Sequence, residues 1–269
     1  MQILCLIIAS VLITFGWLSP FHTYPWVTFS SELASFGAAL AIVTLFLTKE
    51  IKIPRPQIFM LGIVLLPLLQ FCSGLIVDLS VAFLSSAYLF TFWLMILCGY
   101  SLSQQAENRE KLMIGFSLLV LVAGLLSSFI AIVQWLNLES YIPGVMVLKT
   151  SRPFANFGQP NNLSTFLVMG LMGGLYLYEK RKASLWLLIP SSLILLFTIA
   201  LTQSRTAWIV CIFFFFYWIY KQHKNNPRFN FPKLLLWTSL YFLIAGYLLP
   251  YLTQFMTSHL DTGVTHTAS

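Results

Sequence analysis

The sequence predicts an all-α protein: a polytopic transmembrane helix bundle of about nine helices, N-terminus cytoplasmic. Three observations predict it. First, the 269 residues are 58% hydrophobic and only 9% charged, with a mean hydropathy of +0.84, whereas a soluble domain is about 45–50% apolar and about 25% charged. A water-soluble fold of this size could not hide so much apolar surface, but in lipid the apolar surface is the one that faces solvent. Second, long stretches such as Leu112 to Leu136 and Leu185 to Ala200 contain no charged residue. Third, Lys and Arg concentrate in every second loop, as the positive-inside bias requires.

Runs and breaks along the chain place the spans in order. The first, Ile3–Leu18, lacks a basic leader, and Leu18-Ser19-Pro20-Phe21 lacks a small-residue cleavage pattern. It is therefore a retained helix and not a cleaved signal. Leu33–Thr48, Ile58–Val77, Val81–Leu102 and Leu112–Leu136 follow, then Leu163–Tyr178, Leu185–Thr202, Thr206–Tyr220 and Leu234–Leu252. As one helix, Leu185 to Tyr220 would be about 54 Å long against a hydrocarbon core of about 30 Å. The polar break Gln203-Ser204-Arg205 is the natural hairpin between the two spans. The domain reading is a bundle over residues 1–252 with a long outer loop at 137–162. A polar stretch at 253–269 reads as the start of a truncated periplasmic loop.

Twelve of the fifteen basic residues fall on one side of this arrangement: Lys49, Lys52 and Arg55; Arg109 and Lys111; Lys180, Arg181 and Lys182; and Lys221, Lys224, Arg228 and Lys233. That side is the cytoplasm. The net charge of +7 is thus mainly a topology signal and gives no reason to expect nucleic acid as a partner. Cys5, Cys72, Cys98 and Cys211 are scattered within apolar segments, which reads as small buried hydrophobes with no disulfide and no metal site.

Lys149, Arg152 and Arg205 remain on the outer side, against the bias. Snorkelling to lipid headgroups is one explanation for Arg152 and Arg205. The other lies in Ser151-Arg-Pro-Phe-Ala-Asn-Phe-Gly-Gln-Pro-Asn-Asn-Leu-Ser-Thr165, a polar, Gly- and Pro-bearing segment leading into the sixth span. Asn161 or Asn162 would cap that helix. Its N-terminus would point outward with free N–H groups and partial positive charge, an anion site unless it is an ordinary cap and turn. With two guanidiniums beside it, the expected ligand is a phosphate or diphosphate at the outer surface. Outer-side carboxylates are few (Glu32, Asp78, Glu139, Asp261) and no Asp-x-Asp pair is present to hold a divalent cation. Arginine would then have to stabilise a leaving diphosphate. Among the histidines, His22 falls in the first outer loop and His223 in the cytoplasm. His259 and His266 are either loosely held tail residues or a base.

The stretch Arg152-Pro-Phe-Ala-Asn-Phe-Gly-Gln-Pro-Asn-Asn-Leu-Ser-Thr-Phe-Leu, followed by Leu201-Thr-Gln-Ser-Arg-Thr-Ala, resembles the bacterial pilin-glycosylation ligases. These are O-oligosaccharyltransferases of the O-antigen ligase and polymerase superfamily. The Gly-Gln-Pro-Asn-Asn run carries most of the likeness; the Ser-Arg turn is more widely shared. The resemblance implies an enzyme of the bacterial inner membrane. It would take an oligosaccharide from undecaprenyl diphosphate on the periplasmic face and transfer it to Ser or Thr of a secreted acceptor such as pilin. The transfer would invert, with no metal and no cofactor. Carried over by residue, Arg205 would bind the carrier diphosphate, Gln159 and Asn161 would line the donor or acceptor site, and Arg152 would stand beside them. No catalytic base is implied for any residue here.

Members of that family continue into a large periplasmic loop with a functional histidine and a further arginine, and then into more helices. The resemblance thus covers the N-terminal half of a typical member, and the chain is expected to be catalytically incompetent alone. The alternatives are an O-antigen polymerase or ligase, a transporter or flippase, and a non-catalytic scaffold. Mid-helix positions are nearly free of charge, which argues against ion-coupled transport. The diphosphate reading requires Arg152, Gln159, Asn161 and Arg205 to converge on one outward cleft.

Overall fold

A computed structural model of the chain describes residues 2–22, 26–46, 53–148 and 151–205, together with positions 209, 248 and 251. The described residues form seven α-helices: α1 (Gln2–Leu18), α2 (Phe29–Val43), α3 (Arg55–Cys72), α4 (Leu79–Ser103), α5 (Ala106–Trp135), α6 (Pro160–Glu179) and α7 (Leu185–Leu201). Two 3₁₀ turns, Thr44–Phe46 and Glu139–Tyr141, extend or follow them. Among the described residues, four stretches are long and apolar enough to cross a membrane: Phe29–Phe46, Arg55–Cys72, Leu79–Ser103 and Ala106–Trp135. Leu4–Leu18 and Leu185–Leu201 are shorter apolar helices. The expected spans Thr206–Tyr220 and Leu234–Leu252, the stretch 253–269, and Cys211, His223, His259 and His266 lie outside the described residues, apart from positions 209, 248 and 251.

Helix ends differ from the hydropathy edges for local chemical reasons. α3 stops at Cys72, short of the expected Val77, because Gly74 takes the left-handed conformation (φ 76°). There the Leu75 N–H returns to the Gln70 carbonyl at 2.9 Å and the Gly74 N–H to Phe71 at 3.0 Å, a glycine-terminated helix end. Leu75–Val77 continue the apolar run but not the helix. α4 starts at Leu79 because the Asp78 carboxylate caps it, accepting from the Ser80 N–H at 2.8 Å and the Ser80 hydroxyl at 2.7 Å. The Ser80 hydroxyl, then its backbone N–H, hold this carboxyl below its ordinary range. α5 begins six residues before Leu112 and takes in Glu107, Arg109, Glu110 and Lys111. The end of an apolar run marks where lipid stops, not where helical hydrogen bonding stops. Lys111 Nζ meets Glu107 Oε1 at 2.6 Å one turn away.

The chain divides into two compact units, Met1–Gly115 and Phe116–Ser269, and the division falls inside α5. In the first unit α1 packs on α2 and α3 on α4. Trp93 donates its indole N–H to the Gln57 carbonyl at 2.9 Å, tying α4 to the first turn of α3. Large apolar side chains such as Ile58, Phe59, Leu69 and Phe83 point outward, as they must where lipid is the solvent. Cys5, Cys72 and Cys98 are free thiols.

In the second unit α6 packs on α7. α6 also lies unusually close to the second-unit part of α5. A Cβ added at Gly173 would sit 2.6 Å from the Ser117 carbonyl oxygen, and one at Gly170 would sit 3.1 Å from that of Val120. Small residues let helix backbones approach in this way where lipid gives no hydrophobic incentive to associate.

Candidate functional site

The site grows from the loop between α5 and α6. Just past the end of α5, Asn137 takes the left-handed conformation (φ 55°), with the Leu138 N–H returning to the Val133 carbonyl at 3.0 Å. The chain then passes through the 3₁₀ turn at Glu139–Tyr141 and Gly144 (φ 86°). Two buried amides hold this loop down. Gln134, in the last turn of α5, donates to the carbonyls of Met146 (2.9 Å) and Ala155 (2.7 Å). Its oxygen accepts from the N–H groups of Phe154 (3.1 Å) and Ala155 (2.8 Å). Asn156 donates to the Gly144 carbonyl at 2.9 Å and accepts from the Met146 N–H at 3.1 Å. Pro153, Phe154, Ala155 and Asn156 are all buried. Ala155 is held at φ 50°, which costs an L-residue roughly 1–2 kcal/mol and persists because Gln134 grips both its N–H and its carbonyl.

Phe157 then packs at a tilt against Phe166 with ring centroids 4.9 Å apart, and Gly158 (φ 69°) turns the chain into α6. The helix cap is Gln159, not Asn161 or Asn162 as the sequence suggested. Pro160 explains the correction. Its fixed φ and missing N–H suit the first helical position, so the helix begins there and the cap falls one residue earlier. Gln159 is extended and exposed, and its side chain makes no capping bond.

The shift releases the Asn161 side chain for a different task. Its Oδ1 accepts the Ser204 hydroxyl at 2.9 Å and faces Arg152 Nη2 at 3.5 Å. Arg152 Nε donates to the Thr202 carbonyl at 2.7 Å. Thr202 caps the C-terminus of α7, where carbonyls lack helical partners and a cation is favoured. Gln203 adopts φ 47°, Ser204 is fully buried, and Arg205 is exposed. Among the described residues no carboxylate pairs with Arg205.

Arg152 and Asn161 therefore meet each other and the turn that leads into Arg205, and Gln159 precedes Asn161 by two residues. Lys149 lies outside the described residues, and His22, with Nδ1 3.1 Å from the Val27 carbonyl, belongs to the other unit. Among the described residues no three His, Cys, Asp or Glu side chains gather to hold a metal ion. A helix N-terminus and an arginine guanidinium are each groups that favour an anion. Sequence reasoning missed Gln134, Asn156 and Ser204. The signal for Gln134 was an amide inside a span otherwise free of charge. Asn156 and Ser204 lie inside segments the sequence marks, Ser151–Thr165 and Gln203-Ser204-Arg205, but nothing local tells which partners they hold.

The profile of a family described as "Protein glycosylation ligase" matches residues 153–178. The chain is 45% identical, over all of its 269 residues, to a "General O-oligosaccharyltransferase" of Acinetobacter baylyi, of which it covers 47%. It is 27% identical over 218 residues to a "ComP-specific O-oligosaccharyltransferase" of the same organism, matching 80% of this chain and 39% of that one. The chain thus spans about half the length, or less, of the curated relatives it matches. No solved structure matches it.

Proposed function

We infer, from the likeness to protein glycosylation ligases and O-oligosaccharyltransferases, that the protein of this chain transfers a glycan from undecaprenyl diphosphate to Ser or Thr of a secreted protein such as pilin. The enzyme works in the bacterial inner membrane, with its N-terminus in the cytoplasm and the α6 N-terminus facing the periplasm. One observation carries the reading. The segment matched by the family, 153–178, builds the N-terminus of α6, and its Asn161 is bonded to the turn from which Arg205 projects.

The chemistry follows from charge. As the sugar leaves its carrier, the bond from the anomeric carbon to the diphosphate oxygen breaks and negative charge gathers on the diphosphate. The acceptor hydroxyl forms the new glycosidic bond and gives up its proton to a base that this chain does not identify. Arg205, the first N–H groups of α6 and the exposed Gln159 amide meet the departing charge, with Arg152 adding a second guanidinium. The arginines do the work that carboxylates holding a divalent cation would do elsewhere. A protein acceptor is favoured over lipid A core or a growing polysaccharide, because the matching family is described by protein glycosylation.

The test is Arg205→Ala in the complete protein, expressed with donor and pilin in a host lacking its own ligase. Removing one preorganised charge-stabilising donor costs about 10²–10³ in rate, and glycosylated pilin, followed by mass spectrometry at matched enzyme level, should fall accordingly. Undiminished glycosylation refutes the role given to Arg205. Glycan appearing on lipid A core instead of pilin refutes the protein acceptor.

A further inference from the structure

The turn that carries Arg205 is tied to α6 by a hydroxyl that a ligand does not reach. Ser204 is 0% exposed, and its Oγ donates to Asn161 Oδ1, 43 residues away in sequence, at 2.9 Å. Arg152 braces the same turn from a second direction, through the Thr202 carbonyl at 2.7 Å. Asn161 Oδ1 faces both Ser204 and a guanidinium N–H. An atom approached by a guanidinium must be an acceptor, which fixes the orientation of the amide and turns Nδ2 away from the tie. Between the two braces, Gln203 sits at φ 47°, a conformation that a non-glycine residue keeps only where its surroundings hold it. Buried hydroxyls keep their bonds because the unpaired group is costly.

We propose that Ser204 is a positioning residue: through Asn161 it locks the turn after α7 onto the N-terminus of α6, and so sets where the Arg205 guanidinium stands relative to the helix N–H groups. The proposal rests on the diphosphate reading of Arg205 given above. Arg152 acts in the same brace through its Nε, in addition to lending charge. The functional unit is then a rigid corner in which a helix N-terminus and a cation converge on one diphosphate.

The test is a double-mutant cycle on the complete protein in detergent, with farnesyl diphosphate as a soluble prenyl diphosphate probe and its Kd as the readout. Ser204→Ala should weaken binding about ten-fold, the scale of one lost hydrogen bond to the geometry of a charged group. In the Arg205→Ala background the same substitution should change Kd by less than about two-fold, because the residue it positions is gone. A merely structural role would lower binding equally in both backgrounds. Ser204→Cys keeps the volume with a weaker donor. It should give an intermediate loss that likewise vanishes without Arg205, and it serves if Ser204→Ala does not fold. Equal losses in the two backgrounds, or unchanged affinity in Ser204→Ala, overturn the positioning role while leaving the site standing. An Arg205→Ala protein that binds normally, or a wild type that binds no probe, overturns the diphosphate site itself.

Discussion

Gln134 uses every hydrogen-bonding position of its side chain on the backbone of the loop that follows it. Two N–H groups and two lone pairs meet Met146, Phe154 and Ala155 at 2.7–3.1 Å, and none of the residue is exposed. Replacing it with leucine keeps the volume nearly unchanged but strands two backbone N–H groups and two carbonyls. Each stranded group costs about 1–3 kcal/mol, more together than the apolar side chain recovers. Gln134→Leu should therefore lower the unfolding temperature in detergent sharply, along with the amount of protein recovered from membranes. Asn156→Ala, which removes the bonds to Gly144 and Met146, should lower both by less. Equal stability of Gln134→Leu and wild type would show that the loop is held by something else. The same residue illustrates how a site is read. An amide inside a membrane span is visible in one dimension, but what it grips is not.

At the scale of elements, the contact between α5 and α6 depends on the absence of side chains. A methyl at Gly173 would meet the Ser117 carbonyl oxygen at 2.6 Å and Val120 Cγ2 at 2.8 Å. The first of these is backbone and cannot move without shifting α5. Gly173→Ala should cost about 1–3 kcal/mol, the usual penalty for overpacking. Gly115→Ala makes the complementary case, since nothing lies within 4 Å of the added atom. There alanine should stabilise the helix by roughly 0.5–1 kcal/mol. Thermal unfolding of the two variants in the same detergent decides the matter, and a Gly173→Ala protein as stable as wild type would mean the helices are free to separate. Glycine lowers apparent hydropathy, and α6 is not among the four stretches apolar enough to cross a membrane on composition. Its close packing against α5 is instead what the glycines provide.

For the whole molecule, the charge distribution makes a prediction about sidedness. α5 is 30 residues long, about 45 Å, so its ends should emerge on opposite sides of a core of about 30 Å. In a background with Cys5, Cys72, Cys98 and Cys211 replaced, a cysteine at Tyr141 should react with an impermeant maleimide added to spheroplasts. One at Gln105 should react only after permeabilisation. Both positions are exposed. The reverse pattern would invert the orientation proposed for the site and remove it from the periplasm.

Apolar length and the pairing of basic residues with loops are properties of the chain in one dimension, because lipid solvates whatever is apolar for about 20 residues. From them alone came the all-α, multi-pass character of the protein and, with the Gly-Gln-Pro-Asn-Asn run, its resemblance to the glycan ligases. Which residue caps α6 was decided by Pro160, a local rule that the search for an Asn cap overrode. The brace of Ser204, Asn161, Arg152 and Thr202 had no such rule to reveal it. Its members lie 43 and 50 residues apart, and only the packing of α6 against α7 brings a helix N-terminus to the end of its neighbour. Sequence determined which chemical groups were available. Tertiary structure decided which of them hold one another, because a hydrogen bond between distant residues exists only at the distance that packing sets.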